Sequence, residues 1–312
     1  MVGFERMLTS FGMSDTSGWT WVLSIIGLVI VLRILLIPLF VKQIRSQRRM
    51  QLLQPELMKI QKKYKGRKDE ASRKAMTEES FGLYKKHGTN PFSSCLPILM
   101  QMPFFFALFR LLNGLPDVVS GKNEPVGFFS QELAIKMEAS TIFGAQLSSS
   151  FLRADGDTAA MVLSAILIVL MGFTQFITSH QLMRKNMPAA ALDGPMARQQ
   201  AILIYVLPIM FAVFGVNFPL GVLIYWTTTN LWTMGQQFYV IRAMPAPGSA
   251  AEKALEQRRL AKGKPIEKFQ LSGATDDEVE AEEPTKQSGQ RVQPQGKKRA
   301  KNRPKSNRPK GR

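Results

Sequence analysis

The chain has 312 residues, is 45% hydrophobic and carries a formal net charge of +18. Its apolar residues gather in long blocks instead of recurring at amphipathic spacing, which excludes an ordinary soluble domain and points to membrane spans with polar extensions. A single cysteine, Cys95, excludes an intramolecular disulfide and a cysteine metal cluster, and reads as a small packing residue.

Residues 1–18 hold one basic residue, Arg6, and no small-residue cleavage pattern follows, so they do not read as a signal peptide. Phe4, Met7, Leu8 and Phe11 share one face in helical geometry. The segment reads either as an interfacial helix or as an unstructured leader. A helix needs about 20 apolar residues to cross a bilayer. Five stretches meet that need: 19–41, 92–115, 159–179, 201–217 and 220–241, of which the fourth is short.

The first stretch contains "VIVLRILLIPLF" (29–40), with Arg33 set in its middle. A central arginine costs about 2.5–3.5 kcal/mol on insertion scales. Lys42 marks the cytoplasmic end of the span and lies about 13 Å farther on at helical rise, too far for Arg33 to snorkel. Arg110, near the outer end of the second span, is placed to do so. None of the five stretches contains Asp or Glu, so Arg33 has no carboxylate at its own depth. It is expected to face a wet cavity and to be satisfied by water, backbone carbonyls, neutral side chains or a visiting ligand.

Residues 42–90 read as a cytoplasmic helical hairpin. "RRMQLLQPELMKIQKKYKG" places Met50, Leu53, Leu57, Ile60 and Tyr64 on one helical face, with a break at Gly66. "DEASRKAMTEESFGLYKKHG" gives a second stretch carrying Met76, Leu83 and Tyr84, closed by Gly88. The competing reading is a solvated basic helix pair that only fixes topology. Residues 116–158 show no strong period, with a short helix expected at 131–138. After Met244 the composition shifts: "AEKALEQRRLAKGK" has helical character, "DDEVEAEE" is acidic, and the remainder is a basic, low-complexity tail.

Charge sets the topology. The 42–90 segment has fourteen Lys/Arg against five acidic residues, 180–200 has three against one, and 242–312 has eighteen against nine. Residues 116–158 invert the pattern, with three basic and six acidic. The alternation predicts an all-α integral membrane protein of five transmembrane helices with an extracytoplasmic N-terminus and a cytoplasmic C-terminus.

Neutral polar residues accompany Arg33 inside the spans. Trp226, Asn230, Thr233 and Gln237 share a face of the fifth, with Tyr225, Thr229 and Gln236 beside it. The second offers Ser94 and Gln101, the third Gln175 and Thr178. Taken singly, each is ordinary helix–helix glue. Together with an unpaired arginine they outline a hydrophilic groove open to the cytoplasm.

Enzymatic readings lack their residues. The spans hold no carboxylate, His87 and His180 belong to no HExxH, no Ser–His pair is evident, and no GxxxxGK[ST] occurs. No cofactor or metal is expected. A transporter for a small anion bound at Arg33 is the competing class. Against it, five spans do not divide into two repeats.

"NPFSSCLPILMQMPFFFALFRLL" (90–112), "LQPELMKIQKKY" (53–64), Arg33 and "GVLIYWTTTNLWTMGQQ" (221–237) together closely resemble the YidC/Oxa membrane protein insertases. The resemblance covers about 19–115 and 159–242, and it is the combination that is specific. It has the look of a compact bacterial form without the large extracytoplasmic domain or lipoprotein-type leader of some relatives.

The resemblance implies a multi-pass protein of the bacterial plasma membrane. Such a protein inserts nascent membrane proteins, alone or beside the Sec translocon, and acts as a membrane chaperone. It implies a groove lined by Arg33, Gln101, Met102, Phe105, Tyr225 and Trp226, to which the polar pattern adds Gln175, Asn230 and Thr233. It assigns client recruitment to the hairpin, where Leu53, Leu57, Ile60, Tyr64, Met76 and Leu83 are the apolar candidates. It also implies a ribosome-binding basic tail. The candidates there are Lys297, Lys298, Arg299, Lys301, Arg303, Lys305, Arg308, Lys310 and Arg312, with anionic lipid as the alternative contact.

Overall fold

The computed structural model describes residues 1–67, 69–90, 96–187 and 195–266. The expectations for Ser94, Cys95 and the basic tail lie outside these residues. The described chain is helical apart from one two-residue strand pair. In order it forms α1 (Val2–Ser10), α2 (Gly18–Leu35), α3 (Ile37–Leu52), α4 (Gln54–Lys63), α5 (Glu70–Lys86), α6 (Leu96–Asn113) and α7 (Leu115–Val119). Then come α8 (Gln131–Ala139), β1 (Thr141–Ile142), β2 (Ala145–Gln146), α9 (Thr158–Asn186), α10 (Pro195–Gly215), α11 (Leu220–Ala243) and α12 (Ala250–Leu260).

Four helices, α5, α8, α9 and α12, start where a side chain satisfies their first N–H groups. Asp69 accepts from Ser72, Ser130 from Leu133, Asp157 from Ala159 and Ala160, and Ser249 from Glu252. Among the described residues α2 and α9 are long and apolar enough to cross a bilayer, and α6 and α10 carry shorter apolar runs. α11, with 24 residues, is too polar for that test, yet it is the most enclosed helix of the bundle. It packs against α2, α6, α9 and α12.

The bundle is apolar without, and its largely apolar interior encloses several polar side chains. Val162, Ile166, Val169 and Phe173 form an exposed stripe on α9, while Ser164 and Thr174 of the same helix are buried. Leu23, Ile30 and Ile34 are exposed on α2, while Trp21, Ile25, Val29 and Arg33 follow one another at four-residue steps on its buried face. Water would not tolerate so much contiguous apolar surface, and lipid does.

The expected first span, 19–41, is divided. α2 ends at Leu35 and α3 begins at Ile37, with Pro38 in its first turn. Proline has no N–H to give the carbonyl of Ile34, and its ring disfavours helical geometry just before it. α3 then continues unbroken into the hairpin, and a second break at Leu53 separates it from α4. α4 and α5 pack together as the hairpin pattern predicts.

Two readings left open are resolved by packing. Residues 2–10 form a helix, α1, that crosses α2 at Gly27. A Cβ there would lie 2.7 Å from the Phe4 ring, so only glycine permits the approach. Residues 116–158, which show no strong period, form a cap of α7, α8 and the β1–β2 hairpin over the end of the bundle where α2 and α11 begin.

Candidate functional site

Arg33 lies in the last turn of α2, one turn before the break at Leu36. A cation there complements the unpaired carbonyls and negative end of the helix. The side chain is 7% exposed, and its guanidinium carbon sits 5.4 Å from the centre of the Phe40 ring on α3. Its Nε has no hydrogen-bond partner, and among the described residues no carboxylate pairs with it. Tyr225 of α11 lies within electrostatic reach.

The structure joins some of the expected groove residues and separates others. Gln101 of α6 donates to the Tyr225 hydroxyl, which links α6 to α11 beside Arg33. Phe105 and Trp226 meet edge to face at 5.1 Å, and Trp226 also touches Phe211 and Phe218. Met102 is exposed on the outer surface of α6. Asn230 is buried and donates to the Met171 carbonyl at 3.2 Å, tying α11 to α9. Gln175 and Thr233 turn to their own helices, donating to Ser179 Oγ and to the Thr229 carbonyl. The hydroxyls of Ser164, Thr227 and Thr229 are buried without a partner.

Beside Arg33 lies a cavity of about 450 Å³ between α3 and the second half of α11. Phe40 belongs to its wall, together with Ile37, Val41, Ile44, Leu231, Trp232 and Tyr239. Arg33 itself is covered by Phe40 and does not line it. These wall residues were not anticipated. The available signal is the apolar spacing of Ile37, Phe40, Val41 and Ile44, which continues past Pro38 into a segment otherwise read for its charge.

In the hairpin, Leu53 and Leu57 are buried, while Ile60, Tyr64, Met76 and Leu83 are half-buried. The Lys63 ammonium and Glu79 carboxylate meet at 2.9 Å across α4 and α5. Their hydrogen bond holds Glu79 below the ordinary carboxylate value and raises Lys63. On the cap, Lys136 of α8 bridges Glu132 and Asp15, which raises the lysine and lowers Asp15.

Residues 12–247 match the model of the family described as 60Kd inner membrane protein. Three relatives are each named "Membrane protein insertase YidC". That of Streptomyces avermitilis is 50% identical over 253 residues, covering 78% of this chain and 56% of the relative. That of Tropheryma whipplei is 37% identical, covering 97% of this chain and 93% of the relative. That of Bifidobacterium longum is 35% identical, covering 91% and 86%. A helical bundle with an apolar surface, a buried arginine and these likenesses belongs to the YidC/Oxa family of membrane protein insertases, non-enzymatic multi-pass proteins of the bacterial membrane.

Proposed function

We propose that this chain receives nascent hydrophobic segments from the cytoplasm and releases them sideways into lipid through a hydrophilic path centred on Arg33. In this reading α2, α6, α9, α10 and α11 supply five spans. The α1 end faces outward, and the α4–α5 hairpin and the C-terminus lie in the cytoplasm.

One observation carries the reading: a buried guanidinium, with no carboxylate partner among the described residues, at a helix break beside an open cavity. An isolated buried charge is expensive, and a chain that keeps one gains most when an anion or water reaches it. A client segment engages the apolar face of the hairpin. Its short polar leader then enters beside Arg33, where the cation and the unpaired hydroxyls of α9 and α11 lower the desolvation cost. Acidic leader residues pair transiently with Arg33. The apolar outer faces of α6 and α11 guide the client helix into lipid. Burial of its apolar surface drives the last step, assisted by the membrane potential acting on leader charges. The Sec translocon and the ribosome are proposed as partners, the latter through the basic tail.

The test is insertion of acidic-leader and neutral-leader clients into vesicles carrying the reconstituted protein. Arg33→Ala is expected to lower acidic-leader insertion about tenfold, equivalent to about 1.4 kcal/mol. Neutral-leader insertion should change less, and Arg33→Lys should retain most activity. Equal insertion of both client classes by Arg33→Ala overturns the role of Arg33. Photo-crosslinkers at Gln101, Met102 and Trp226 that capture no stalled nascent chain, together with small-anion uptake by the same vesicles, would replace insertion by transport.

A further inference from the structure

Where α11 ends, a second cavity of about 620 Å³ opens between it and α12. Its walls include Arg242, Arg258, Arg259, Lys262 and Lys264, and none of its lining residues is acidic. Cations near a helix C-terminus are ordinary, since they answer the helix dipole and mark the cytoplasmic side. Their convergence on one cavity is not explained that way. Arg259 also donates to the Pro265 carbonyl at 3.4 Å, and a space walled by so many like charges favours an anion.

The backbone builds this convergence. α12 ends in a reversing turn in which Gly263 adopts a φ of +64°, with Lys264 N donating to the Arg259 carbonyl and Gly263 N to the Leu260 carbonyl. This pairing folds Lys262 and Lys264 back beside Arg259. Arg258 donates to the Arg242 carbonyl at 3.1 Å and to the Ala254 carbonyl at 3.0 Å, which fixes α12 against the end of α11.

Tyr239 lines both this basic cavity and the apolar 450 Å³ cavity. Leu231, Phe238 and Tyr239 are exposed along the same stretch of α11. Two cavities of opposite chemistry thus share a wall at the end of a spanning helix. We propose that together they hold an anionic phospholipid. Its phosphate lies among Arg242, Arg258, Arg259, Lys262 and Lys264, and its acyl chains run past Tyr239 along the apolar cavity. RNA is the less suitable occupant, because the adjoining wall is hydrocarbon and the tyrosine lies on the bilayer side of the cations.

The test is native mass spectrometry of the full chain released from nanodiscs of mixed phosphatidylglycerol and phosphatidylcholine. Lys262→Gln/Lys264→Gln removes two charges beyond the end of α12 without touching its packing. Retained phosphatidylglycerol is expected to fall about tenfold, given the worth of each basic group at an anionic surface. Tyr239→Ala is expected to weaken retention while leaving binding of inorganic phosphate unchanged. The control Lys62→Gln/Lys65→Gln removes equal charge from the exposed hairpin and should leave retention intact. Equal loss in the control, equal retention of phosphatidylcholine, or displacement of lipid by a polyuridine oligomer would overturn the proposal. Competition by inorganic phosphate alone, indifferent to Tyr239→Ala, would reduce it to a phosphate site and overturn the lipid.

Discussion

The two ends of the bundle are built from the same helices to opposite standards. Where α2 and α11 begin, Trp21, Ile25, Leu112, Leu220 and Leu223 have no exposed surface. The first N–H groups of α11, which no helix can satisfy internally, donate to the Ser149 and Leu147 carbonyls of the cap at 2.8 and 3.0 Å. Near the other end of α11 lie an arginine with an unpartnered Nε, two cavities and glycines with room to spare. A Cβ on Gly18 would run into the Thr141 carbonyl, whereas one on Gly235 would meet nothing within 4 Å. Packing density is therefore a local property. One pair of helices is tightly sealed at one end and borders open cavities toward the other.

Substitutions that probe space should divide along that line. Gly18→Val forces a side chain into the β1 backbone, which cannot yield as a side chain can. It is expected to cost about 3 kcal/mol, read as a lowered Tm of the detergent-solubilised protein. Gly221→Ala presses on a methyl group of Leu112 at 2.7 Å, a neighbour able to rotate. It should cost about 1–2 kcal/mol in the same assay. Asn230→Leu, between the two ends, removes the tie to Met171 and is expected to cost about 1 kcal/mol. Gly235→Ala should change Tm little, within about 0.5 kcal/mol, and a large loss there would show the open end to be as tightly packed as the closed one.

The smallest effect concerns the hairpin. Glu79 is lowered from its ordinary 4.5 by Lys63, so its contribution is present above 4.5 and fades as pH falls through the depressed value. Lys63 is raised from 10.5, so its contribution is present below 10.5 and fades as pH rises through the raised value. Protection of α4 and α5 against hydrogen exchange, taken relative to the intrinsic rate at each pH, should be flat between those limits and fall modestly in acid. Both groups are solvated, and Glu79→Gln should abolish the acid response.

The long apolar helices α2 and α9 were legible because they rest on length and composition, which neighbouring residues set among themselves. Arg33 stood out as a cation within an apolar run, but the buried stripe of Trp21, Ile25 and Val29 leading to it was not legible, because a helix apolar all round shows no preferred face. The break at Leu36 carried a visible signal in Pro38 that the surrounding apolar run outweighed. The cap over the closed end was not legible, because its elements are short and held by packing on α2 and α11. Nor was the cavity wall formed by Leu231, Trp232 and Tyr239, since a void belongs to the space between helices and to no single sequence pattern. Asn230 and Gln175 share a polar signature in the sequence. Only tertiary contact distinguishes the one that bridges helices from the one that bonds to its own.

The break at Leu36 has a mechanical consequence. No residue of α3 is fully buried, though most are half-buried, so this rod is held less firmly than α2 or α11. At about 1.5 Å per residue its 16 residues extend about 24 Å, so a swing of about ten degrees at Pro38 sweeps its far tip through about 4 Å. Phe40 rides near the pivot, over the guanidinium. A bend that carries the far tip of α3 through about 4 Å therefore moves the ring over Arg33 far less, so the cover on the guanidinium is the steadiest part of the rod.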